Sequence, residues 1–276
     1  MPDRAVARTN YADWMTWYST PCLHGEFCWH DLNTRDAAGS TAFYSALLNA
    51  SATTIPMPHG DYTILTIGSH TLMGMMPINA TSPADVQAHW IGYIAVDDIE
   101  LMTARAAELG ATIRTPVTQG SMGRSSVISD PTGAICALFQ ADAGKTDGMN
   151  ERGPGAVVWN HLVTRDPARA VEFYSALLGW ESELPPDGGD DGARRMNAHG
   201  RSVAGIMPTA HPDDRSAWLT FICVERIEEA SRTATQLGAT ALTDVVGFPS
   251  IGSVVVLRDP QGATFCVVEP AQRSEP

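Results

Sequence analysis

Three segments of this chain occur twice, in the same order, and nothing else in the sequence restricts its fold as strongly. GEFCWHDLNTRDAAGSTAFYSALL (25–48) aligns without gaps on GAVVWNHLVTRDPARAVEFYSALL (155–178) at an offset of 130, with 13 of 24 positions identical. WIGYIAVDDIELMTARAAELGAT (90–112) aligns on WLTFICVERIEEASRTATQLGAT (218–240), with 10 of 23 identical. SDPTGAICAL (129–138) aligns on RDPQGATFCV (258–267). A solenoid repeat runs to roughly 20–50 residues, so a unit this long is a whole domain that has been duplicated. The expected layout is an N-terminal arm over 1–24, a first domain over 25–141, a linker over 142–153, a second domain over 154–271 and a tail over 272–276. The linker is rich in Gly, Asp and Asn and lacks apolar periodicity, as boundaries do.

Each half reads as two βαβββ modules. Phe27–Thr34 alternates like a half-buried strand. Asp36 and Asp166 stand where a helix begins, and Asp is a favoured N-cap. Phe43 with Leu47, and Tyr44 with Leu48, then share one helical face. DYTILTIG (61–68) and HTLMGMMP (70–77) read as a hairpin. In the next module WIGYIAV is a strand, Asp97–Leu109 a helix and Gly110 its left-handed stop. Asp130-Pro131-Thr132-Gly133 is a turn between the last two strands.

The combination Trp29…Leu32-x-Thr34-Arg35-Asp36…Phe43-Tyr44-x-x-Leu47-Leu48, its second copy, and the two Asp-Pro-x-Gly turns (130–133 and 259–262) resemble the vicinal oxygen chelate superfamily. That superfamily contains glyoxalase I, bleomycin-resistance, fosfomycin-resistance and extradiol dioxygenase proteins. The resemblance covers about residues 25–140 and 155–270 and is nearest to tandem glyoxalase-like members. It implies an α+β fold of two tandem domains. Each would be a pair of βαβββ modules making a curved, cup-shaped mixed sheet flanked by helices.

The resemblance also implies a divalent metal in the cup. Its ligand positions fall on Trp29, Ile91 and Ala137 in the first half and on Trp159, Leu219 and Cys266 in the second. Only Cys266 of these can ligate, and one thiol is not a site. The expectation is therefore no cofactor, with a divalent metal held by relocated ligands the less favoured reading.

Strand alternation sorts the side chains that share the cup face. Trp29, Asp31 and Asn33 face it in the first half, with His89 and Tyr93 from the second module. Trp159, His161, Phe221 and Cys266 face it in the second half. Asp31 and His161 occupy equivalent places and are the candidate catalytic residues, as a general base or a substrate anchor. Trp29, Asn33, His89, Tyr93, Trp159, Phe221 and Cys266 are candidate substrate contacts, and Arg124, in the loop GSMGRS, is a candidate for an anionic group. Trp90 and Trp218 fall on the helix side and read as packing.

Composition narrows the partners. Thirty-one acids against 18 bases give a net charge of -13, which opposes nucleic-acid and anionic-membrane surfaces. No apolar run approaches the roughly 18 residues of a membrane span. Five scattered cysteines read as reduced thiols, and a cytoplasmic protein is expected. The partner is a small-molecule ligand or substrate, and the chain is a monomer or a homodimer. Three readings stay open. One is a metal-independent enzyme of lyase or isomerase type acting on a small aromatic or oxidised metabolite. Another is a non-catalytic protein that sequesters an antibiotic or metabolite between aromatic side chains. The third is a metal-dependent glyoxalase or dioxygenase with relocated ligands. The copies differ most along the cup lining, which predicts one dominant ligand site, with the Asp31 cup preferred.

Overall fold

A computed structural model describes residues 15–19, 22–57, 60–79, 82–145, 149–186, 192–210, 214–248 and 251–271. The arm aromatics Tyr11 and Trp14, and the tail over 272–276, lie outside them. After β1 (Tyr18–Ser19), the first repeat runs β2 (Phe27–Thr34), α1 (Ala37–Leu48), β3 (Ser51–Ile55), β4 (Tyr62–Ile67), β5 (His70–Pro77), β6 (His89–Ala95), α2 (Ile99–Glu108), β7 (Thr112–Gln119), β8 (Gly123–Ser129) and β9 (Ile135–Ala141). After β10 (Glu151–Arg152), the second runs β11 (Val157–Thr164), α3 (Pro167–Leu178), β12 (Glu181–Glu183), β13 (Arg194–Ala198), β14 (Arg201–Pro208), β15 (Ala217–Cys223), α4 (Ile227–Gln236), β16 (Thr240–Ala241), β17 (Val246–Phe248), β18 (Gly252–Arg258) and β19 (Thr264–Pro270).

Each repeat closes its own mixed sheet. The first has the order β3-β4-β5-β2-β6-β9-β8-β7. The second repeats it as β12-β13-β14-β11-β15-β19-β18-β16, with β17 added beside β18. In both, the first strands of the two modules lie antiparallel at the centre, and each pairs in parallel with the last strand of its own module. This is the α+β architecture of two tandem cup-shaped domains. Among the described residues no helix is long and apolar enough to cross a membrane.

The helices start and stop where the sequence chemistry dictates. Asp36 and Asp166 each cap a helix by accepting the backbone N–H three residues on. Asn49 and Gly179 close α1 and α3 in the left-handed conformation. The helix α2 is capped by Asp98, not Asp97, one residue later than the sequence pattern suggests.

The four helices lie between the two sheets. One apolar cluster joins α2 and β6, β8 and β9 of the first domain to α3, β13 and β14 of the second. Another joins α1, β4 and β5 to α4, β18 and β19. The same two side-chain bonds cross between the domains in both directions. Tyr44 on α1 donates to Asp259 Oδ2 (3.0 Å), and Tyr174 on α3 donates to Asp130 Oδ2 (2.9 Å). The other oxygen of each aspartate ties its own Asp-Pro-x-Gly turn through backbone N–H groups. Between these bonds His30 Nε2 meets Asn160 Oδ1 at 2.8 Å. These residues stand at equivalent places in the two copies, so the contact marks the local twofold axis.

Residues 17–19 pack against the chain between the two repeats and against β5. β1 pairs with β10, and Trp17 stacks on His70 with ring centroids 4.0 Å apart. His70 in turn meets Glu151 at 2.7 Å. All five cysteines are free thiols.

Burial holds the His30 imidazole neutral, with its pKa pushed down to about 3. An unfolded histidine takes up a proton near pH 6.5. Between those values the unfolded state binds more protons, so stability is complete above about pH 6.5 and falls as pH drops through this window. His161, pushed down to about 4, acts in the same direction. His30→Gln, which keeps an amide partner for Asn160, is expected to make the acid limb of stability against pH shallower by one proton. Urea titrations at stepped pH measure it, and a limb identical to the parent's refutes the assignment.

Candidate functional site

The faces turned away from the helices carry the site candidates, and a bulge sets their orientation. Pairing between β2 and β6 slips between Phe27 and Trp29, and β11 slips against β15 between Val157 and Trp159. Strict alternation therefore fails at the head of each first strand. Phe27 packs on the helix side beside His30 and Trp218, while Cys28 and Trp29 both join the cluster on the opposite face. From Trp29 onward alternation resumes, and Leu32 goes to the helix-side core. Trp90 and Trp218 also pack there, as their strand parity requires.

The registers set out the first cup row by row. Trp29 lies opposite Tyr93, which lies beside Ala137. Asp31 lies between Ile91 and Gly74, and Asn33 lies opposite His89. Asp31 is 3% exposed and is held by two donors. Trp29 Nε1 donates to its Oδ1 at 2.8 Å and Tyr62 Oη at 2.7 Å. Trp29 Nε1 also lies 2.9 Å from Tyr62 Oη. Burial raises the Asp31 pKa, and the polar groups of Tyr62, Tyr93 and Trp29 oppose that rise. Burial and the facing carboxylate push both tyrosines well above their ordinary value.

Tyr62 reaches Asp31 because Gly74 stands between them. A Cβ at Gly74 would run into Tyr62 Oη and Asp31 Oδ1. Gly205 fills the same place in the second sheet, beneath the His161 ring. Sequence reasoning missed Tyr62 and both glycines. The signal was present: HTLMGMMP and RSVAGIMP align with Gly, Met and Pro in common, and β4 alternates toward Tyr62.

The second cup carries different chemistry on the same frame. Trp159, Phe221 and Cys266 form its row, and His161 lies opposite Leu219. Trp159, Phe221 and Cys266 are buried with Val254 and Val268 in an apolar cluster. Burial alone lowers His161 to about 4 and raises the Cys266 thiol. The ring of His161 packs on Phe221 with centroids 6.0 Å apart.

Three candidates stand apart from these centres. Arg124 is held on the helix side by Glu100 (3.2 Å) and Gln140 (2.7 Å), away from the cup. His89 and Asn33 stand at the rim, where His89 Nδ1 meets the Gln87 carbonyl at 2.8 Å. His89 and His161 belong to different sheets, so they do not combine.

A divalent ion does not suit these residues. The aligned ligand positions carry Trp, Ile, Ala, Leu and one buried thiol, and the Asp31 carboxylate is already committed to two donors. Among the described residues no three His, Cys, Asp or Glu side chains converge as a binding set.

Replacing Gly74 with Ala is expected to destabilise the protein by about 1–3 kcal/mol through overpacking and to separate Tyr62 from Asp31. Melting curves and the Trp29 fluorescence of the variant report the two effects. Unchanged values for both refute the role given to Gly74.

Comparison with known proteins agrees with this architecture. Residues 27–137 match the model of the Glyoxalase/Bleomycin resistance protein/Dioxygenase superfamily, and residues 156–268 match the Glyoxalase-like domain. CFP32 of Mycobacterium tuberculosis, which carries a provisional glyoxylase name, is 31% identical over 248 residues, covering 88% of this chain and 94% of the relative. The anthracycline biosynthesis protein DnrV of Streptomyces peucetius is 29% identical over 266 residues, covering 89% and 93%. Among solved structures, the 2,3-dioxygenase LapB from Pseudomonas sp. KL28 superposes with a TM-score of 0.63 at 14% identity, covering 94% of this chain and 96% of that one. The Mn(II)-bound glyoxalase from Novosphingobium aromaticivorans gives 0.59 at 12% identity, covering 90% and 84%. With both halves matched and relatives that span nearly its whole length, this chain belongs to the glyoxalase/bleomycin resistance protein/dioxygenase superfamily.

Proposed function

We propose that the first cup binds a small oxygenated aromatic metabolite and that Asp31 accepts a proton from it, without a metal, in a reaction of isomerase or lyase type. The observation that carries this reading is Asp31 bonded to Trp29 and Tyr62, with Tyr93 in register opposite Trp29, in one domain of two. A buried carboxylate with a raised pKa is a stronger base than an exposed one, and catalytic bases work best near the ambient pH. Half-buried Trp29 and Tyr93 offer ring faces beside it. The names of DnrV and DauV, both anthracycline biosynthesis proteins, support an oxidised aromatic ring system as the ligand.

The sequestering reading uses the same aromatic wall without the base, and product analysis separates the two. Calorimetry with a hydroxylated polycyclic aromatic is expected to give one dominant site per chain. Asp31→Asn, which conserves shape, is expected to lower affinity or turnover on the order of tenfold or more. His161→Gln is expected to have a smaller effect. Two equal sites, or an Asp31→Asn variant that matches the parent, would end the proposal.

A further inference from the structure

The segments that lead into the two domains have exchanged cups. Met15 stands ahead of the first domain, yet its Sδ accepts from Cys223 Sγ (3.7 Å), which belongs to the apolar cluster of the second cup. Met149 stands ahead of the second domain, yet it is buried with Cys28, Ala95 and Phe139 in the cluster of the first cup. The two seats are equivalent. Ala95 beside Phe139, and Cys223 beside Val268, each form the row that follows the tryptophan row on the same sheet face. Methionine is unbranched and adaptable, so it fills such a row without demanding one fixed shape.

One ribbon carries both methionines. β1 and β10 form a two-stranded sheet of their own, with Tyr18 opposite Arg152 and Ser19 opposite Glu151. Two strands alone are marginally stable at best, and Met15 and Tyr18 are exposed. Trp17 holds the ribbon down. Its ring stacks on the His70 imidazole at 4.0 Å and covers Gly153, where a Cβ would collide with it. Glu151 completes the latch, accepting from Ser19 Oγ (3.1 Å) and meeting His70 Nδ1 (2.7 Å). The Asn150 N–H donates to the Cys28 carbonyl (2.8 Å), which seats Met149 on the first cup.

We infer that this ribbon is a two-ended stopper: it closes one end of each cup with a methionine and, on release, opens both ends together while the helix layer stays shut. The inference stands on the ribbon's own contacts and goes beyond the ligand reading above. Segments held by few buried contacts open at a lower free energy than the core. Without Trp17 the ribbon loses its stacking on His70 and its cover over Gly153, and β10 loses the support of β1. Met149 and Met15 therefore limit how far a ring system extends past Trp29 or Trp159.

The thiols report the opening. Cys223 meets Met15, Cys28 shares a cluster with Met149, and Cys136 lies in the helix-side core. The full chain is labelled with N-ethylmaleimide under native conditions, and the rate at each cysteine is read by peptide mass spectrometry. Trp17→Ala is expected to speed labelling of Cys223 and Cys28 by on the order of tenfold or more and to leave Cys136 at the parent rate. Met15→Ala, which removes one stopper and keeps the latch, is expected to speed Cys223 alone. Parent rates at Cys223 in both variants would overturn the stopper. A gain at Cys223 without one at Cys28 in Trp17→Ala would overturn the joint opening. A gain shared by Cys136 comes from opening of the whole core and would overturn the ribbon as a separate unit.

Discussion

Two reciprocal hydrogen bonds, Tyr44 to Asp259 and Tyr174 to Asp130, determine how everything else in the molecule is arranged. Each runs from a helix of one domain to the closing turn of the other, and each aspartate uses its second oxygen to hold that turn. Both partners are buried, so losing either hydroxyl would leave a carboxylate oxygen without its partner, at a cost of about 1–3 kcal/mol. Trp218 Nε1 also donates to Tyr174 at 3.0 Å, which fixes that hydroxyl's proton on Asp130. The bonds keep the helices between the sheets. A helix layer shared by both domains buries one face of each sheet and leaves the other face of each turned outward. The two cups therefore cannot merge into one cavity, and each had to acquire its own lining.

That separation explains why the repeats match where they do. Phe-Tyr-Ser-Ala-Leu-Leu and Asp-Pro-x-Gly meet each other across the domain boundary, so neither can change without disturbing the opposite domain. The cup positions meet only their own sheet. Asp31 and His161 share a backbone frame, a bulge before them and a glycine beneath them, yet one is ringed by donors and the other lies against Phe221.

Much of the fold was readable from residues whose role is local or repeated. The caps Asp36 and Asp166 satisfy helix N–H groups within three residues, and the closing turns are specified within five. The cup was readable only in part, because its decisive contacts join strands far apart in sequence. Tyr62 meets Asp31 from 31 residues away, through register and a missing Cβ that no local pattern reveals. The bulge at Cys28 was hidden for a similar reason. Cys28 is apolar enough to pass for either face, and only the slipped pairing with β6 shows which one it takes. Arg124 illustrates the opposite case. A cation in a glycine-bearing loop suggests an anion site, but strand parity turns it toward Glu100 on α2.

The Asp31 centre is hard to explain as a contribution to stability. A carboxylate taken out of water costs several kcal/mol, which hydrogen bonds recover only in part, and an apolar lining of similar volume does as well or better. The molecule contains that alternative, since the second cup fills the equivalent row with Trp159, Phe221 and Cys266 and needs no charge. A sheet that folds with phenylalanine at the Tyr93 position has no structural need for its hydroxyl. The first domain nonetheless keeps a buried acid, a phenol and an indole N–H directed at one another, along with the glycine that lets them meet. Hydrogen bonds to the carboxylate favour its ionised form, and burial favours the protonated one. A group balanced between those opposing effects gives up and takes a proton with small changes in its surroundings, which the ligand proposed for the cup would supply.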